Sequence, residues 1–282
     1  MQIMRLNHGE ILELLPARNP VTHKGDYGKI LLLCGSKGYT GAAALAAMGA
    51  LRSGAGLVYL GVPESIYAIE AVKLTEPVVF SLPDLDGKLS NEAIDQVKEF
   101  LPRMDAVLIG PGLGISQGTQ EVLKFVLQSF DGTVVIDADG INMLSSHMDI
   151  LRERTSPTIL TPHEGEFVRL TGNCIYDRQA DAIKAAQNMG CIMVLKGHET
   201  IITDGDCCYI NPTGNPGMAV GGSGDVLAGI IVGLLGQGLS PLLAAACGVW
   251  LHGAAGDICA DQIGQYGMLP SDMLQVLPRL LK

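Results

Sequence analysis

The sequence predicts an α/β fold: one doubly wound, mostly parallel sheet flanked by helices. Three observations point there. Short aliphatic runs alternate with helix-length segments almost throughout the 282 residues, the pattern of strands joined by crossover helices. The chain is 48% hydrophobic with only five Phe and one Trp, so its apolar content is aliphatic, as a sheet covered on both faces requires. Five of the runs end in glycine-rich or polar turns, at Gly35, Gly110, Asp137, Thr161 and Lys196. In such folds ligands bind beyond the carboxyl ends of the strands, so these turns are expected to converge on one crevice. No composition break, linker or repeat divides the chain, and residues 1–282 are read as a single domain.

In order, Asn7–Leu15 reads as a helix ended by Pro16. Lys29–Cys34 is a buried strand, Gly35–Gly41 a glycine turn and Ala42–Ser53 a small-residue helix, the first half of a βαβ unit. Leu57–Gly61 and Pro77–Ser81 are strands around a helix at Glu64–Lys73, and Asp84–Asn91 is a loop before a helix at Glu92–Phe100. Ala106–Gly110, Thr133–Asp137, Thr158–Leu160 and Cys191–Leu195 are strands; Gln117–Ser129 and Asp177–Met189 are helices. Asp204-Gly205 marks a hairpin between Thr200–Thr203 and Cys207–Ile210. Helices after Asp225, across Pro241–Ala260 and at Ser271–Leu280 close the chain.

Charge and composition exclude several partners. The net charge of −10 argues against nucleic acid, which needs a basic footprint. An anionic small ligand stays possible, because local lysines and helix starts outweigh distant charge. The longest apolar runs, such as Val226–Gly236, are shorter than the roughly 18 residues of a membrane span, and Arg5, Glu10 and Glu13 interrupt any leader-like pattern. Seven cysteines without a C-x-x-C pair read as buried, reduced thiols of a cytoplasmic protein.

The strongest chemical signal is Asn211–Gly238. Its loop half carries Gly221, Gly222 and Gly224, and its second half is an apolar helix. A glycine turn feeding a helix is an anion site: free N–H groups point outward, and missing Cβ atoms let a phosphate approach. Asp225 sits at the junction, where an acid repels the anion. A base for a hydroxyl facing a phosphoryl group gives it a reason to be there. Lys196-Gly197-His198-Glu199-Thr200 offers a phosphate contact at Lys196, close backbone approach at Gly197 and a hydrogen bond from Thr200, or is a solvated turn. His163 and Glu166 end another strand; two such ligands are too few for zinc, and Glu166 acting through water on a hard cation fits better. GPGLG at 110–114 lacks dinucleotide-fingerprint spacing and reads as a bare platform under a bulky ligand. Asp137 and Asp139 order water about a cation, or Asp139 caps a helix. Lys24, Lys37 and Arg52 are local positive charges. His252, in an apolar helix, is a packed supporting residue rather than a catalyst.

Together the segments resemble the ADP-dependent NAD(P)H-hydrate dehydratase family of the ribokinase-like superfamily. The matching stretches are HKGDYG (23–28), GSKGYTGAA (35–43), RSGAGLV (52–58), GPGLG (110–114), DADGIN (137–142), LTPHEGEF (160–167), VLKGHETII (194–202) and NPTGNPGMAVGGSGDVLAG (211–229). The resemblance implies a ribokinase-like fold and repair of hydrated NADH or NADPH: ADP phosphorylates the C6 hydroxyl, phosphate leaves, and AMP is the second product. It implies Mg²⁺ as cofactor. Asp225 is implied as the base and the N–H groups of Gly222, Ser223 and Gly224 as the anion hole. Lys196, Gly197, His198, Glu199 and Thr200, with Gly224, are implied to hold ADP and then AMP. Ala43, Gly114 and His163, with Asp225, are implied contacts of the hydrated dinucleotide. A homo-oligomer, a tetramer, is implied too, and the small-residue helix 42–50 and the stretch 241–251 are compatible with subunit contacts. Family members often carry an epimerase domain ahead of this part; epimerisation is not expected of the residues matched here. The rivals are a small-molecule kinase of the same superfamily, which stops at the phosphate ester, and a silent nucleotide-binding regulator, which has no use for Asp225.

Overall fold

A computed structural model describes residues 3–282. The chain opens with β1 (Ile3–Met4), α1 (His8–Leu14), β2 (Lys29–Leu33) and α2 (Thr40–Arg52). Next come β3 (Leu57–Pro63), α3 (Glu64–Lys73), β4 (Val78–Leu82), a small hairpin β5 (Asp84–Leu85) and β6 (Lys88–Leu89), and α4 (Ala93–Phe100). The middle holds β7 (Ala106–Ile109), α5 (Gln117–Ser129), β8 (Thr133–Ile136), α6 (Asp139–Leu144), α7 (Met148–Glu153), β9 (Thr158–Leu160), α8 (Glu164–Thr171) and α9 (Arg178–Met189). It ends with β10 (Ile192–Leu195), β11 (Ile201–Thr203), β12 (Cys208–Ile210), α10 (Ser223–Gly236), α11 (Pro241–Gln262) and α12 (Pro270–Leu280).

Ten strands form one sheet in the order β1-β12-β11-β10-β9-β8-β7-β2-β3-β4. Every neighbouring pair is parallel except the two that β11 makes, with β10 and β12. The expected mostly parallel sheet flanked by helices is therefore present. Successive side chains of a strand face opposite ways, and β2 shows the result. Ile30 and Leu32 join a core with α2, α10, α11 and α12, whereas Leu31 and Leu33 join another with α4, α5, α7 and α9.

The tightest helix contact sets the position of the glycine turn. A Cβ on Gly229 would stand 2.2 Å from the Ala46 carbonyl oxygen, so α10 approaches α2 to backbone contact. The small residues of α2 serve this internal packing: Ala43, Ala46, Ala47 and Ala50 are fully buried within the chain. Ala42, Ala44, Leu45 and Met48 on the same helix stay partly exposed, and most of 241–251 is buried. α11 also corrects the membrane reading. At 22 residues it is long and apolar enough to cross a bilayer, but most of it lies inside the fold. Three further differences are local. Asp84–Asn91 contains the β5–β6 hairpin, β1 pairs with β12, and α6, α7 and α8 occupy stretches the hydrophobic pattern left unassigned.

Candidate active site

The five strand-end turns are neighbours because β2, β7, β8, β9 and β10 are neighbours in the sheet. Each leans on the next: Gly35 N–H donates to Pro111 O (2.8 Å), Asp137 N–H to Ile109 O (3.2 Å), Thr161 N–H to Ile136 O (3.2 Å) and Lys196 N–H to Pro162 O (2.8 Å). Convergence on one crevice is thus met.

α10 points its start into this crevice. Gly222 caps the helix at φ 96°, the left-handed region that glycine enters without penalty. Ser223 N–H donates to Val220 O (3.3 Å), which closes the turn. Among the described residues no protein group accepts from the N–H of Gly222, Gly224 or Asp225. The free donors are therefore Gly222, Gly224 and Asp225, and the expected backbone contribution of Ser223 is already engaged. The Ser223 hydroxyl lies 3.3 Å from His252 Nε2 in a buried contact. Burial pushes the His252 imidazole down to about 4; its bonding to the Ser223 backbone opposes this and the Lys196 charge adds to it. α11 also ties down the loop ahead. Asp257 accepts from Gly214 N–H (2.9 Å) and the Asn215 side chain (3.0 Å), and Thr213 Oγ1 donates to Trp250 O (3.0 Å).

Charge concentrates beside the turn. Lys196 Nζ lies 2.8 Å from Asp137 Oδ1 and 3.8 Å from Glu166 Oε2. Thr161 Oγ1 donates to the same Asp137 oxygen at 2.7 Å. A Cβ placed on Gly224 would stand 3.4 Å from Lys196 Nζ and 3.9 Å from Asp137 Oδ2, so this pair borders the free N–H groups. Burial alone would lower the Lys196 pKa, but Asp137, Glu166 and Asp225 outweigh it and hold the ammonium charged. Burial raises Asp225 to about 6, Asp137 and Asp139 push the same way, and Lys196 opposes them. Burial, then Asp225 and Asp137, keep the nearby Cys34 thiol protonated. Among the described residues no three His, Cys, Asp or Glu side chains form a metal cage.

The remaining expected residues divide. Arg178, which the sequence reading missed, underlies the 196–200 loop. Its guanidinium donates to the carbonyls of Leu195 (3.3 Å), Lys196 (3.1 Å) and His198, and its Nε stands 3.1 Å from Glu164 Oε1. Gly197 and Thr200 close the loop through a Thr200 Oγ1 bond to Gly197 O (2.9 Å). Glu199 turns outward to Arg5 (3.1 Å). His163 and Glu166 form a reciprocal capping box at the start of α8: Glu166 N–H donates to His163 Nδ1 (3.2 Å), and His163 N–H to Glu166 Oε2 (2.9 Å). The H-x-x-E spacing thus has a structural use, while the His163 ring stays exposed. Asp139 is not a cap; its Oδ2 accepts from Gly114 N–H at 2.8 Å and shapes the platform. Ala43 lies wholly inside the core, and it is its neighbours Gly41, Ala42 and Ala44 that keep open surface. Two pockets elsewhere, beside Arg154 and beside Phe100, contain none of these residues.

The description of NAD(P)H-hydrate dehydratases matches residues 30–279. The chain belongs to the NAD(P)H-hydrate dehydratase family. It is 46% identical over 275 residues to a bifunctional NAD(P)H-hydrate repair enzyme of Moorella thermoacetica, covering 95% of this chain and 52% of that protein. The chain spans about half the length of that and the other bifunctional relatives it matches. The ADP-dependent (S)-NAD(P)H-hydrate dehydratase of Bacillus subtilis is 37% identical over 274 residues, covering 95% of this chain and 94% of that one. The crystal structure of a Bacillus subtilis ADP/ATP-dependent dehydratase, co-crystallised with ATP and Mg²⁺, superposes with a TM-score of 0.85 at 32% identity, over 99% of this chain and 98% of that one. The expected family and ribokinase-like fold are both met.

Proposed function

We propose that this family member converts hydrated NADH or NADPH, in the (6S) form, to NADH or NADPH with ADP as phosphoryl donor. The observation that carries the reading is Asp225: an acid held at about 6, at a helix start whose neighbouring N–H groups are free. A carboxylate of that pKa accepts a proton at neutral pH. Asp225 takes the C6 hydroxyl proton as the oxygen attacks the β-phosphorus of ADP. AMP leaves, and the free N–H groups of Gly222, Gly224 and Asp225 receive the equatorial oxygens. The phosphate at C6 then departs with its C–O electron pair, C5 loses a proton, and the dihydronicotinamide is restored. The sum is hydrated cofactor plus ADP giving cofactor, AMP and phosphate.

Lys196 to Thr200 hold the nucleotide side of this reading, and Gly114 and His163 the acceptor side, with Ala43 marking the helix turn whose open residues are Gly41, Ala42 and Ala44. Mg²⁺ fits the donor set, since the hard carboxylate oxygens of Asp137 and Glu166 both approach Lys196 beside the anion turn and such a cation is held by one or two carboxylates plus phosphates. When bound it would neutralise charge on the transferring group. We further propose that residues 1–282 act as one domain, in the cytoplasm and as a homo-oligomer, a tetramer. All seven cysteines being unpaired supports a reducing compartment.

The test is spectrophotometric. The protein is mixed with hydrated NADH and Mg²⁺, ADP or ATP is added, and the absorbance of reduced nicotinamide is followed. Recovery with ADP and stoichiometric AMP is expected. A nucleotide consumed without recovery would mark a kinase that stops at the ester, and no change with either donor would end the dehydratase reading.

A further inference from the structure

We propose that His252 is a positioning residue for the phosphoryl transfer: it donates from Nε2 to Ser223 Oγ and so turns the serine O–H toward the transferring group. The proposal rests on the dehydratase reading of the site. Its starting point is the 3.3 Å contact between two buried side chains, on α11 and at the first turn of α10. Ser223 has already committed its N–H to Val220 O. Its hydroxyl is therefore the one donor residue 223 still has for an anion.

A serine hydroxyl carries one proton and two lone pairs. If the proton goes to the imidazole, residue 223 shows only lone pairs to a phosphate and repels it. If the imidazole gives the proton, the serine oxygen is satisfied from behind and its own O–H is free for a phosphoryl oxygen. Only the second arrangement suits a turn whose free backbone groups, at Gly222, Gly224 and Asp225, are all donors. The imidazole does not need to be charged. A neutral ring donates once from a fixed tautomer, and the contact needs only one donor.

The helix makes the orientation independent of ligand. α11 grips the preceding loop through Trp250 and Asp257 on either side of His252, and Gly253 and Gly256 lie against Thr213 and Met218. The imidazole is placed by helix packing before any phosphate arrives, which is what preorganisation of an anion hole requires.

The experiment is a double-variant cycle. His252→Leu, His252→Gln, Ser223→Ala and the pair Ser223→Ala with His252→Leu are compared with the parent. Turnover and KM for hydrated NADH are measured with ADP and Mg²⁺ across pH, and ADP affinity is measured by calorimetry without hydrated cofactor. His252→Leu is expected to lower kcat about tenfold, below the 10²–10³ of a lost direct donor, with KM for hydrated NADH unchanged. Gln, which keeps an N–H donor, should restore most of it. Ser223→Ala should lose as much or more, and the double variant no more than Ser223→Ala alone. The acid limb of the profile should stay where Asp225 puts it. Losses that multiply, a pure KM effect, a Gln variant as impaired as Leu, or an acid limb that vanishes with His252 would each overturn the proposal. If His252→Leu does not fold, the same cycle is run with His252→Gln as the donor-keeping variant and His252→Asn as the one too short to reach. A parent protein that restores no NADH refutes the dehydratase reading instead. The ADP cycle then decides the His252 tie alone: non-additive affinity losses support it and additive ones refute it.

Discussion

Asp225 is destabilising in its charged form, the form proposed to act as the base. Its pKa rises from 3.8 to about 6 on folding, so the folded chain holds this proton more tightly than the unfolded chain. The stability it contributes is complete below the unfolded value and is lost as pH rises through about 6. At neutral pH the charged carboxylate is a net cost. Asp225→Asn should therefore unfold at higher denaturant than the parent at pH 7, by about 1–2 kcal/mol, while turnover falls at least ~10²-fold. Parent turnover should rise with pH and level off above about 6; a flat profile would remove Asp225 as the base. A second residue carries strain. Ala138, between Asp137 and Asp139, sits at φ 51°, ψ −117°, a region that costs a residue with a Cβ on the order of 1–3 kcal/mol. Ala138→Gly relieves this at an entropic cost of roughly 0.5–1 kcal/mol, so chemical denaturation should show a net gain. The sequence made Asp225 visible because glycines, acid and helix are contiguous. The Asp137–Lys196 pair was not visible as a pair, because its members are 59 residues apart and only the β8-β9-β10 order joins them.

Elements carry the site through two backbone approaches. Where α10 meets α2, Gly229→Ala puts a methyl 2.2 Å from the Ala46 oxygen. The helices must separate, and overpacking of this kind costs typically about 1–3 kcal/mol. The melting temperature should fall, and kcat with it, because the start of α10 moves. At the other side, Arg178 fixes the 196–200 loop by a planar fork on three carbonyls. Arg178→Lys keeps the charge but not the fork. It is expected to weaken ADP binding about tenfold by calorimetry while leaving the affinity for hydrated cofactor near the parent value; equal losses for both would contradict a loop-specific role. The main strands and long helices were legible from period and length. The short elements were not. α6 and α8 begin directly at strand-end turns, where the acids and histidine looked like site chemistry and partly serve as helix starts. β5 and β6 are two residues each, below any detectable alternation. Arg178 opens a helix behind Asp177, so its local pattern reads as an ordinary helix N-terminus.

At the scale of the whole molecule, the proposed reaction has a chain of net charge −10 take up two anionic reactants. Repulsion at long range slows encounter and is screened within a Debye length, about 10 Å at 0.1 M salt. Raising ionic strength from about 10 to 150 mM should therefore increase kcat/KM for ADP about twofold with kcat unchanged. A fall would show that local cations, Lys196 first, dominate encounter as well as binding. The same balance explains why global charge was a poor guide to the ligand: it excluded one partner class without describing the crevice.

α11 touches the 211–225 loop at Trp250, Gly253 and Asp257, and again at His252 and Gly256, spacings that share one side of a helix. One residue added or removed upstream of Trp250 would rotate every later contact by about 100°, sending His252 and Asp257 away from the loop together. Insertions and deletions should be tolerated in the exposed turn at 172–174, whose hydrogen bonds are local. Between Pro241 and Asp257 they should be inadmissible, even where each new side chain would pack as well as the old one.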